Sequence, residues 1–205
     1  MRLQLTAVIS ALGTLGYLLA TPVLAEGNAE AGQTKSAPCV ACHGVGGNST
    51  NPEWPRLAGQ HRDYTVAQLK AFKSGARSNP LMSPMAAPLT DQDIEDLAAY
   101  FATGTPQGGE TEPSKLELGQ KIFRGGDTKN NVAACTGCHG PRGSGNPAAK
   151  YPLIRGQQAT YVASQLRAYK TATRKTDPNG IMRTVAAGLS DEQIDAVASY
   201  IQGLR

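Results

Sequence analysis

Aromatic residues are scarce: they make up 5% of the 205 residues, with three Phe and one Trp. Small domains with so thin a core usually need a staple such as a disulfide, a metal or a cofactor. Histidine is scarcer still, with three in the whole chain, and the four cysteines fall in two tight pairs. Basic runs interleaved with aromatics are missing, which leaves nucleic-acid binding without support. Sustained apolar–polar alternation between hairpin turns is missing too, so the chain is expected to be mainly α. Beyond about residue 20 there is no second long apolar run, and a soluble protein is expected.

The single apolar run starts at Leu3, behind Met1-Arg2, and fades near Ala20. Pro22 and then Val23-Leu24-Ala25 follow, ahead of Glu26. This order reads as an export signal, residues 1–25, cut after Ala25. A retained anchor is the weaker reading, because Thr6, Ser10, Thr14 and two glycines interrupt a run already short for a membrane span. Export permits disulfides, so four cysteines would ordinarily suggest two bridges. Charge is lopsided after the signal. Residues 26–105 carry 6 Lys/Arg against 8 Asp/Glu, and residues 106–205 carry 13 against 8. The resulting dipole bears on docking with charged partners.

The chain also says everything twice. PRLAGQHRDYTVAQLKAFK (residues 55–73) matches PLIRGQQATYVASQLRAYK (152–170) at an offset of 97. PLTDQDIEDLAAYFATG (88–104) matches GLSDEQIDAVASYIQGL (188–204) at an offset of 100. The three-residue change falls in a Gly/Pro/Asn-rich loop, where insertion costs little. Two tandem domains are therefore expected, over residues 26–104 and 115–205, with the Gly- and Pro-rich residues 105–114 as linker. Thr90 with Asp93, and Ser190 with Gln193, have capping-box spacing. The helices they open place Ile94, Leu97, Ala98 and Phe101, or Ile194, Val197, Ala198 and Ile201, on one face. Middle helices are predicted near residues 64–74 and 161–171, and Ser114 with Glu117 is predicted to cap a helix through Phe123.

All four cysteines sit in one repeated pattern, Cys39-Val40-Ala41-Cys42-His43 and Cys135-Thr136-Gly137-Cys138-His139. This is the spacing of c-type haem attachment. Cysteines at i and i+3 share one side of a helical turn, so both sulfurs reach the two vinyl groups of one haem. The histidine that follows comes round beneath the macrocycle as an axial ligand. A four-cysteine zinc site would have to gather pairs some 90 residues apart and would leave the repeated histidine unused. A thioredoxin-like CxxC lacks its βαβ setting. Bridges within each pair ignore His43 and His139. Two covalently attached haem c groups are expected.

An iron capped on both faces passes electrons, and a methionine cap raises its potential. Beyond the signal the candidates are Met82, Met85 and Met182. The offset of 100 pairs Met82 with Met182 and Met85 with Val185, which makes Met82 and Met182 the candidate sixth ligands and Met85 pocket lining. The choice between Met82 and Met85 stays open. The Pro55 and Pro152 carbonyls are placed to receive the other imidazole proton. Trp54, Arg56, Tyr151 and Arg155 are candidates for haem propionates. His61, opposite Gln158, is expected on the surface.

These features together resemble the dihaem cytochrome c4 family: the two CxxCH motifs, the Gly-Gln followed by Tyr and a Gln-Leu helix, and the Met loop before L-[ST]-D-x-x-I. The resemblance covers nearly all of the chain after the signal. It implies two class I cytochrome c folds about a pseudo-twofold axis, ligated by His43 and Met82 and by His139 and Met182. It further implies a periplasmic electron carrier between respiratory donors and a terminal oxidase or reductase, with redox proteins as partners and some association at the membrane surface. The competing readings are a haem subunit of a larger dehydrogenase, such as a sulfide-oxidising flavocytochrome, and a dihaem peroxidase or thiosulfate-oxidising enzyme. An enzyme needs an open axial position, and the paired methionines speak against one.

Overall fold

A computed structural model describes residues 26–205; the predicted export signal lies outside the described residues. The first half contains α1 (Ala29–Lys35), α2 (Ala37–His43), α3 (Arg62–Ser74), α4 (Met82–Ala86) and α5 (Asp91–Ala102). The second half repeats the order with α6 (Leu116–Gly125), α7 (Thr136–His139), α8 (Ala159–Lys170), α9 (Ile181–Ala187) and α10 (Asp191–Gly203). Among the described residues β pairing is confined to two isolated bridges, Asp127–Val132 and Asn146–Tyr151.

Both predicted capping boxes form. The Asp93 N–H donates to Thr90 Oγ1 at 3.1 Å while the Thr90 N–H donates to Asp93 at 2.9 Å. Ser190 and Gln193 repeat this at 3.1 and 2.9 Å. The helices so started bury the expected faces: Ile94, Leu97, Ala98 and Phe101 on α5, and Ile194, Val197, Ala198 and Ile201 on α10. Ser114 does not cap. Pro113 opens a 3-10 turn there, Ser114 donates to Glu112 at 2.7 Å, and α6 starts after Lys115.

Within each half the first helix crosses the last so closely that only glycine fits. A Cβ at Gly32 of α1 would lie 2.0 Å from the Asp96 carbonyl oxygen, and one at Gly119 of α6 would lie 2.3 Å from that of Ala196. The α1 crossing also carries a buried charge. Asp96 accepts from the Asn28 N–H at 2.8 Å, Lys35 Nζ at 2.6 Å and Gln92 Nε2 at 2.9 Å. Those donors, the Asn28 amide first, draw its carboxyl down from 3.8 to about 2. Ala196 stands in the equivalent place of the second half.

The halves meet through a self-complementary surface. Gln60 uses its side-chain amide as a surrogate strand residue: Nε2 donates to the Leu153 carbonyl at 2.8 Å and Oε1 accepts from the Leu153 N–H at 3.0 Å. Gln157, 97 residues on, does the same to Arg56 at 2.9 and 2.8 Å. Both glutamines are buried, so these backbone groups are satisfied where water is excluded. The connecting segment is tied down rather than loose. Its Gly109 and Glu112 N–H groups donate to the Gln202 carbonyl at 3.0 Å and to Ser199 Oγ at 2.9 Å.

A depressed carboxylate stabilises the fold above its ordinary pKa and ceases to do so as pH falls toward its folded value. Thermal stability should therefore fall as pH drops from about 4 to about 2. The variant Asp96→Asn should start lower at pH 7 and show a flatter acid limb. An acid limb unchanged by the substitution would refute this role for Asp96.

Candidate functional site

Each CxxCH motif forms the helical turn its spacing requires, with the histidine as the last helical residue. In α2 that is Cys39 to His43; in the second half Cys135 caps α7, which ends at His139. Gly44 (φ 76°) and Gly140 (φ 75°) then turn the chain away in a conformation that other residues resist. A second pair of left-handed glycines, Gly47 and Gly143, closes the loop. The Gly47 carbonyl accepts from the Leu57 and Ala58 N–H groups at 2.7 and 3.1 Å, and the Gly143 carbonyl from Ile154 and Arg155 at 2.8 and 3.0 Å. This fixes the segment that carries the preceding proline against the histidine.

The consequence is a defined imidazole. His43 Nδ1 lies 2.9 Å from the Pro55 carbonyl oxygen and His139 Nδ1 lies 3.0 Å from that of Pro152. A carbonyl only accepts, so Nδ1 holds the proton and Nε2 presents its lone pair. Both rings are buried, and burial pushes both below the ordinary histidine range against the opposing pull of the carbonyl. At neutral pH each is a neutral ligand-ready base. Burial also pushes the Cys135 thiol up to about 11, and Cys39 in the same direction. All four cysteines are free of disulfides.

The methionine segments differ in construction yet arrive at the same place. Met82 starts α4, and Met182 lies in the first turn of α9. Ala86 and Ala186, 100 residues apart, are both fully buried at 0% exposure, which fixes the register of the two helices and pairs Met82 with Met182. Met82 and Met182 are half-buried, whereas Met85 is 44% exposed. In the first half Asn79 Oδ1 accepts from the Leu81 and Met82 N–H groups, each at 2.9 Å. In the longer second loop Asp177 receives both the N–H and Nε of Arg183 at 2.9 Å.

The weaker candidates separate. Arg56 is half-buried; its Nη1 donates to the Gly156 carbonyl, and its Nε–H is buried without a partner among the described residues. A vacant donor of that kind suits a carboxylate side group. Tyr151 packs near His139, with ring centroids 6.4 Å apart, and Arg155 reaches Ser144 Oγ at 3.4 Å. Trp54 is half-buried. His61 is not a plain surface residue. It sits at the N-cap of α3, is half-buried, and places Nε2 2.8 Å from the Ser144 carbonyl of the other half. Gln158 at the N-cap of α8 reciprocates, donating to the Ser49 carbonyl at 2.6 Å. Two residues that differ in the repeat thus do one job. Sequence reasoning passed over Arg77 and Arg174 as well, although the offset of 97 aligns them.

The donor sets fit one c-type haem in each half: two thiols one turn apart, an imidazole with Nε2 free, and a methionine segment in each domain. The family model for cytochrome c matches residues 29–105 and again 116–205. The chain is 47% identical to cytochrome c4 of Thiocapsa roseopersicina over 93% of this chain and 99% of that protein. It is 37% identical to a thiosulfate dehydrogenase electron acceptor of Thiomonas intermedia, over 94% of this chain and 89% of that protein. The crystal structure of reduced recombinant cytochrome c4 from Pseudomonas stutzeri superposes with a TM-score of 0.85, at 46% identity, over 87% of this chain and all of that one. The duplicated fold, both CxxCH turns and these likenesses converge on two covalently attached haem c groups and electron carriage: the chain belongs to the cytochrome c4 family.

Proposed function

We propose that this carrier works in the periplasm after cleavage behind Ala25, and that it relays single electrons between respiratory donors and a terminal oxidase or reductase. Cys39 and Cys42 would attach the first haem and Cys135 and Cys138 the second. His43 with Met82, and His139 with Met182, would cap the two irons. Haem iron would supply the one-electron chemistry, and His43, Met82, His139 and Met182 would supply the ligands that hold it closed. A soft thioether beside a neutral imidazole would favour the reduced metal, and an iron so held would have no vacancy for substrate chemistry. The observation that carries this reading is the matched register of Met82 and Met182, set by Ala86 and Ala186 at 0% exposure.

A second reading has its own support. The relative named a thiosulfate dehydrogenase electron acceptor spans nearly the whole chain, which favours a carrier serving a larger dehydrogenase. Reduction of the purified protein by a thiosulfate dehydrogenase and thiosulfate, but not by a membrane quinol-oxidising complex, would favour it.

Met182→Ala should halve the sulfur-to-iron charge-transfer absorption, open one iron to carbon monoxide, and lower one potential by ~0.2 V, a fraction of the ~0.8 V that axial ligands span. Met82→Ala should do the same to the other iron, while Met85→Leu should leave the band intact. An unchanged band in Met82→Ala with loss in Met85→Leu would reverse the assignment. The net charge of +5 on residues 106–205, an upper figure once propionates are counted, points to an acidic partner docking there. Electron exchange with such a partner should slow as salt rises from about 10 to about 200 mM. A rate indifferent to ionic strength would exclude steering.

A further inference from the structure

Two guanidinium groups lie buried where the halves meet, Arg77 at 9% and Arg174 at 5% exposure. Each is rooted in its own half. Arg77 stacks on the Phe72 ring at 4.5 Å from its centroid and Arg174 on the Tyr169 ring at 4.6 Å. Each also donates to its own glutamine, Arg77 to Gln68 at 2.7 Å and Arg174 to Gln165 at 2.8 Å. Both then reach across. Arg77 donates to Tyr161 Oη at 3.1 Å and Gln165 Oε1 at 2.7 Å; Arg174 donates to Tyr64 Oη and Gln68 Oε1, each at 2.9 Å. Gln68 and Gln165 each accept from both arginines, so the two cations and two amide oxygens form a closed ring on the pseudo-twofold axis.

Burying one charge is costly without compensation, and burying two of the same sign is costlier. Among the described residues the ion pairs do not include Arg77 or Arg174. Compensation comes from aromatic faces, amide oxygens and phenols, which solvate a cation without neutralising it. Among the described protein groups the field of this pair therefore stays positive. It is felt at Tyr161, where burial would push the phenol up but the two guanidiniums outweigh it and draw it below its ordinary value. Arg77 and Arg174 follow the ends of α3 and α8, the helices that carry Tyr64, Gln68, Tyr161 and Gln165, and these pack on α4 and α9, which carry Met82 and Met182. Arg77 is five residues from Met82 in the chain, so their Cα atoms lie within ~18 Å.

We infer that Arg77 and Arg174 act as one shared charge that raises the reduction potentials of both irons together. An iron that gains an electron loses one positive charge, so a fixed buried cation nearby favours the reduced state. A charge belonging to one half would shift one potential. This pair straddles the axis, and each member is held by both halves, so removing either should be felt on both sides. Arg77 and Arg174 are positioning residues in this sense; they tune the irons through the field and need not touch them. The inference rests on the two-haem carrier reading.

The test is a spectroscopic redox titration of the holoprotein. In Arg77→Gln both midpoints should fall, by shifts within a factor of ~2 of each other. Arg174→Gln should do likewise, and serves if the first variant fails to fold. Arg77→Lys keeps the charge but loses the fork, so amide exchange at the domain boundary should quicken while both midpoints stay near the parent values. The exposed Arg142→Gln should move neither. A fall in one midpoint only, no fall in either, or a fall in Arg77→Lys as large as in Arg77→Gln would overturn the inference. The charge-transfer band separates the two failures: unmoved potentials with the band intact sink the shared charge alone, and its absence in the parent sinks the carrier reading.

Discussion

One hydrogen bond, made twice, sets the terms for the rest of the molecule. A proline carbonyl takes the Nδ1 proton of His43 or His139, and so decides the tautomer, the ring orientation and the basicity of Nε2. Sequence features that look unrelated serve it. The left-handed Gly47 and Gly143 anchor the loop whose prolines must meet the rings. The Gly-Gln that follows then leaves for the other half. Cofactor site and domain interface are consecutive stretches of one segment, only a few residues apart.

That proximity explains how a chain poor in large apolar side chains can hold two halves together. The interface is built from side-chain amides that complete backbone hydrogen bonds, from two N-cap residues directed across the boundary instead of onto their own helices, and from stacked arginines. Individually such bonds contribute about 1 kcal/mol. Buried and made in mirrored pairs, they specify one relative orientation, because rotating one half would strand several buried polar groups at once.

What could be read from the residues was what is local. CxxCH turns, capping boxes and the apolar faces of α5 and α10 follow from spacings within a few residues, and the repeat itself ranked Met82 above Met85. Helix α1 escaped notice because its seven residues, AEAGQTK, offer little apolar periodicity; it is held by the glycine crossing on α5, a tertiary fact. Ser114 misled because Pro113 opened a tighter turn before the helix could start. His61 looked like a break in the repeat since identity, not role, was compared. Its ring and the Gln158 amide reach the same loop of the opposite half, and only coordinates show that.

The mirrored contacts have a historical meaning. An interface in which Gln60 meets Leu153 as Gln157 meets Arg56 is self-complementary, the kind that two copies of a single polypeptide make with each other. Joining the copies by a short tether needs no new contact surface; it only raises the concentration at which one copy sees the other. Once fused, the partners were free to drift apart in sequence, and a carboxylate at Asp96 where the other half has Ala196 is a trace of that freedom. The molecule carries the geometry of an ancestral dimer inside one chain.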